Sequence, residues 1–174
     1  MATTFTKIAS VDVGLLGAAS IDFTSIPSTY TDLVVYTSAR TNRASNNADP
    51  IKCQFNGDTG NNYSLRFLTG SGSTASSGSA SGINYNIAGT ATATTATAST
   101  FGNAMLYIPN YASANYKSSS MDGVAENNAT AAVDRFEANL WSSTAAITSI
   151  SLTPNTGTAF NQYSTATLYG INKS

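Results

Sequence analysis

Residues 131–154 read AAVDRFEANLWSSTAAITSISLTP. The stretch predicts two strands joined by a short turn. In the first, Phe136, Ala138 and Leu140 share one face, with Asp134 on the same parity at the strand's start, and Arg135, Glu137 and Asn139 share the other. In the second, Ile150 and Leu152 point one way, Ser149 and Ser151 the other. A period of two over this length marks strands with one buried face, because successive side chains leave opposite sides of a sheet. Phe136, Ala138 and Leu140 are therefore the expected core set. Trp141-Ser-Ser-Thr supplies the turn, placing the chain's single Trp at the end of a hairpin.

Outward from this pair the same alternation recurs. It runs over residues 5–13, 19–23, 51–55, 63–68, 83–87, 101–108, 116–124 and 163–171, with turn residues between. Leu33-Val-Val-Tyr36 is an unbroken apolar run, as in a central strand. Pro27 and Pro109 stop strands by fixing φ and removing a donor. Residues 41–50 and 56–62 read as loops. Residues 69–99 read as a low-complexity exposed excursion carrying one short strand, its GTATATTATAS end nearly free of core residues. About eight to ten short strands at even spacing, without a helix longer than a turn or two, predict a single all-β domain over residues 1–174. The expected architecture is an antiparallel β-sandwich, jelly-roll-like, with long polar loops.

The chain's 174 residues are 41% apolar but only 10% charged, against about 25% charged in an ordinary globular protein. Small hydroxyls and amides coat the surface instead. With eight basic and nine acidic residues, no basic patch is dense enough to neutralise several phosphates, so nucleic acid is not an expected partner. No apolar run is long enough for a membrane span, and the first residues do not form a secretory signal. Cys53 is the lone cysteine, so no internal disulfide forms. Ile51 and Phe55 share its face, which predicts a small buried hydrophobe.

The absence of histidine removes the Ser–His–Asp and Cys–His arrangements and, with one cysteine, any ordinary zinc site. Asp134 and Glu137 fall on opposite strand faces. Asp122 and Glu126 would stand about 13 Å apart by strand rise, too far for either glycosidase geometry. The expectation is a non-enzyme with no catalytic residues, metal or cofactor. Asn56-Gly-Asp-Thr-Gly-Asn-Asn62 resembles a calcium loop superficially but lacks the carboxylates and terminal Glu. Tyr85, Tyr111 and Tyr116, in or beside loops, are candidate ligand contacts able to stack on sugars; edge packing or subunit contact is the plainer reading. Tyr163, Thr165, Thr167 and Tyr169 alternate with small residues and form a candidate subunit interface.

The segments FNGDTGNNYSLRFL, TFGNAMLYIPNYASANYKS, ENNATAA, ANLWSSTAAITSISLTP and QYSTATLYGI, in that order, resemble a group of small β-rich virion structural proteins of tailed bacteriophages, notably phages of aquatic bacteria and cyanobacteria. The resemblance covers most of the chain and lapses over residues 69–99. It implies a particle component made in the host cytoplasm and brings no catalytic residues with it. The leading expectation is a structural protein on the particle exterior, as capsid decoration or cement or as a small fibre module. It would self-associate, with a homotrimer favoured, and dock on other virion proteins. The alternative is a receptor- or glycan-binding module of a tail fibre, with specificity in the loops 41–50, 56–62 and 69–99.

Overall fold

The computed structural model describes residues 4–128 and 132–172; Ala131, which opens the quoted stretch, and residues 129–130 of the loop before it lie outside them. Among the described residues there are twelve strands and no helix. They are β1 (Phe5–Asp12), β2 (Ile21–Phe23), β3 (Asp32–Ala39), β4 (Ala48–Phe55), β5 (Tyr63–Ser71), β6 (Thr74–Ile83), β7 (Asn86–Thr92), β8 (Gly102–Ile108), β9 (Lys117–Ala125), β10 (Val133–Trp141), β11 (Ile150–Pro154) and β12 (Thr165–Ile171). An eight-stranded sheet has the order β1-β12-β3-β8-β9-β10-β5-β6, and a four-stranded sheet the order β2-β11-β4-β7. Every pairing in both is antiparallel. The sheets pack face to face as a sandwich, the architecture expected from the alternation.

The core lies between them. Leu33, Val35, Leu106, Met121, Ala166 and Leu168 of the large sheet meet Ile21, Phe23, Ile51, Cys53, Phe55, Ile150 and Leu152 of the small one, all buried. The run Leu33–Tyr36 does lie in a central strand, between β12 and β8. Cys53 is fully buried, and burial pushes its thiol well above the usual range.

The opening stretch does not form a hairpin. β10 lies in the large sheet between β9 and β5, whereas β11 lies in the small sheet between β2 and β4. Residues 142–149 arch from one sheet to the other. Asn56 holds the arch: its Nδ2 donates to the Ala146 carbonyl at 2.7 Å, and its Oδ1 accepts from the backbone N–H groups of Thr148 and Ser149 at 2.8 and 3.1 Å. Ile147 plugs it from inside, 1% exposed.

The faces of β10 are also reversed from expectation. Phe136 is 57% exposed, while Glu137, Asn139 and Trp141 face the core, each under 5% exposed. The reason is the neighbour strand. β7 is the last strand of the small sheet, and Asn139 completes its edge: Nδ2 donates to the Ile87 carbonyl at 3.1 Å and Oδ1 accepts from the Ile87 N–H at 3.4 Å. A buried amide that satisfies a strand edge outranks an apolar side chain for that position, since unpaired buried backbone is costly.

Residues 69–99 divide in two. β6 and its turn are largely exposed, as expected, and extend the large sheet by pairing with β5. β7, in contrast, is buried at every residue: it closes the small sheet beside β4 and packs against β8, β9 and β10 of the large one. Its small side chains mark close approach. A Cβ on Gly89 would sit 2.7 Å from the Cβ of Ala104, and one on Gly102 would sit 2.1 Å from the Thr90 carbonyl oxygen.

Candidate functional site: the outer face of the large sheet

The reversal of β10 puts apolar side chains on a surface. Because register is continuous, the outward residues of the large sheet form rows. The central row runs Leu68, Phe136, Asp122, Met105, Tyr36, Thr167, Ser10, each directly opposite the next on the neighbouring strand. On one side lies the row Arg66, Ala138, Ser120, Tyr107, Val34, Tyr169, Lys7; on the other, Gly70, Asp134, Val124, Asn103, Ser38, Thr165, Asp12. Of the nine large hydrophobic residues exposed among the described residues, five lie on this face: Phe5, Tyr36, Leu68, Met105 and Phe136. Singly exposed apolar residues are ordinary; five on one sheet face make that face the candidate contact surface.

At the β12 end the face is built from rings. Tyr169 meets Phe5 and Tyr36 edge-on, with centroids 6.4 and 5.9 Å apart. At the β5 end, Phe136 and Leu68 wall a shallow depression of about 380 Å³ floored by Ala138 and Ser120 and flanked by Arg66. The expected interface set is partly assembled here: Thr165, Thr167 and Tyr169 share the outward side of β12. Tyr163 precedes the strand at φ 71° and is 72% exposed, outside the rows.

The three loop tyrosines are scattered. Tyr111 is fully buried, its hydroxyl donating to the Pro27 carbonyl, so it is a core residue and not a ligand contact; the Pro109-Asn110 turn carries it inward. Tyr116 is 59% exposed. Tyr85 lines a cleft of about 250 Å³ between the sheets with Phe67, Ile83, Ile87 and Arg135. Arg135 stacks on the Phe67 ring at 4.2 Å and pairs with Glu137 at 2.7 Å. Burial raises Glu137's carboxyl above its ordinary value, with Arg135 opposing that.

The other acids bind local donors. Asp58 accepts from Trp141 Nε1 at 2.7 Å, Gly60 N at 2.8 Å and Asn62 Nδ2 at 3.0 Å; the Trp141 bond leads in holding its carboxyl below the ordinary range. The loop that looked like a calcium site thus spends its carboxylate on the indole. Asp49, buried, accepts from Thr41 Oγ1 and from the N–H groups of Thr156 and Gly157. Glu126 lies beyond β9 and accepts from the N–H groups of Asn127 and Asn128. Among the described residues no three Cys, Asp or Glu side chains converge on a metal-sized site.

Sequence reasoning assigned Phe136 to the core and did not single out Leu68. The signal was present in their parity with Asp134 and Arg66, charged residues that a core face would not carry.

No family model matches the chain, and no curated protein matches it. Among solved structures, a fructofuranosidase variant from Schwanniomyces occidentalis complexed with fructosylnystose aligns with 97% of this chain and 33% of its own, at 10% identity and a TM-score of 0.23. This chain therefore spans about a third of that protein's length, and a likeness at that level carries no argument.

Proposed function

We propose that the protein is a non-enzymatic structural component of a tailed-bacteriophage particle, on its exterior, acting by self-association and by docking on other virion proteins. Capsid decoration or cement, or a small fibre module, are the roles such a subunit fills. The observation that carries this reading is the outer face of the large sheet, where Phe136, Leu68, Met105, Tyr36 and Phe5 stand in solvent on one continuous surface. Each is already about half buried, so covering the remainder against a partner is worth roughly 1 kcal/mol apiece. The phage assignment rests on the sequence segments given above. Immunogold labelling of intact virions tests it, with label expected on particles. Unlabelled particles, together with a Phe136→Ser variant that associates as the parent does, would remove the reading.

A second reading, a glycan-binding module of a tail fibre, is favoured by Tyr85 in the cleft beside Phe67 and Arg135. Its test is host-cell adsorption. Binding by Tyr85→Ala equal to that of the parent disposes of it.

A further inference from the structure

We propose that two copies pack their large sheets face to face about a two-fold axis that lies in the interface and runs across the strands, along the row from Leu68 to Ser10. The proposal rests on the self-association reading above and adds partner, symmetry and register.

The argument is the distribution of charge about the central row. Arg66 and Lys7 both lie in the row on one side; Asp134 and Asp12 both lie in the row on the other, and all four are exposed. A two-fold along the central row sets each strand over its own counterpart and exchanges the flanking rows. Lys7 then faces Asp12 of the second copy. Arg66 faces Gly70 of the second copy, with Asp134 one strand away at about 4.8 Å. Symmetry doubles both pairs, giving an isologous contact in which each charge meets its opposite. A two-fold parallel to the strands would keep the rows in place, set Lys7 beside Arg66 and leave no acid over a base. The charge pattern therefore chooses between the two ways of closing the same apolar face.

The apolar residues fit the same operation. Phe136, Met105 and Tyr36 sit on the axis row and meet their own copies. At about 4.8 Å between strands and about 6.8 Å between same-face residues, three rows over seven strands cover roughly 700 Å² per copy, towards the lower end of a specific interface. Asp122 also lies on the axis row and faces itself, which opposes the contact locally.

The test uses exposed residues only. Sedimentation velocity of the parent over a concentration series is expected to show a dimer. R66D alone and D134R alone each set like charges together and are expected to weaken dimerisation at least tenfold. Mixing the two variants pairs each with its opposite and is expected to restore a mixed dimer. D122N is expected to tighten the dimer. Circular dichroism and the melting temperature confirm that each variant is folded. A parent that is a strict trimer, or single variants that dimerise as the parent does, or a mixture that fails to recover, would overturn the proposal. If F136S abolishes association while the charge variants change nothing, this register is wrong and the broader self-association reading survives.

Discussion

Asn139 does a strand's work with a side chain. Its amide supplies a donor and an acceptor to Ile87, where the small sheet ends. Asn139→Leu keeps the branched shape and removes both bonds, leaving a buried N–H and C=O unpaired. A loss of about 1–3 kcal/mol is expected from the urea midpoint, with an unchanged m-value. Glu137, two residues earlier, sets a pH dependence. Its folded-state carboxyl titrates above the unfolded value, so its ionisation opposes folding. Stability from this group is greatest below about pH 4 and falls as pH rises through the folded value. The stability difference between Glu137→Gln and the parent should therefore shift in favour of the variant as pH rises from 4 towards 7. Asp58 has the opposite sign: its contribution is present above about pH 4 and is lost on further acidification. Trp141→Phe removes the leading cause and should flatten that acid limb. The sequence could not assign these roles, because a period of two says which residues share a face and not which face is inside.

At the scale of elements, β7 shows where sequence reading stops. ATAT-like runs hold little apolar area, and hydrophobic patterning discards them. They are core here because β7 packs closely against β8, β9 and β10 of the large sheet, and only small side chains fit. Gly89→Ala places its Cβ against Ala104 and should cost about 1–3 kcal/mol; Ala104→Gly in the same chain should recover much of it, as thermal melts would show. Strands β3, β8, β11 and β12 were legible, since each alternates or runs apolar beside a clear turn signal. The arch between β10 and β11 was not. Its deciding contact is Asn56, some ninety residues away in sequence, and local turn chemistry contains no trace of it. Asn56→Ala should loosen residues 142–149 selectively, raising their amide exchange while β3 and β12 stay protected.

At the scale of the whole molecule, four of the seven pairings in the large sheet (β1 with β12, β12 with β3, β3 with β8 and β10 with β5) join strands that are not consecutive in sequence. Such topologies fold slowly because loop closure precedes the reward. Refolding followed by the fluorescence of Trp141 is expected in milliseconds to seconds, and a microsecond phase carrying the full amplitude would contradict the topology. The outer face adds a second expectation. Phe136→Ser, changing an exposed residue, should leave the melting temperature of dilute protein within a few degrees while abolishing association. The polar rim of β6, lined with Ser and exposed along most of its length, gives lateral addition of a further strand little apolar area to bury.

The place of β12 bears on how the protein is made. It lies between β1 and β3, pairing Ile171 with Phe5 and with Asp32. During translation β1 is made well before β12, the strand it pairs with. The first strand must wait, unpaired, until residue 171 clears the exit tunnel. The large sheet then closes by insertion of β12, which keeps its outward rows of side chains incomplete until that strand has emerged.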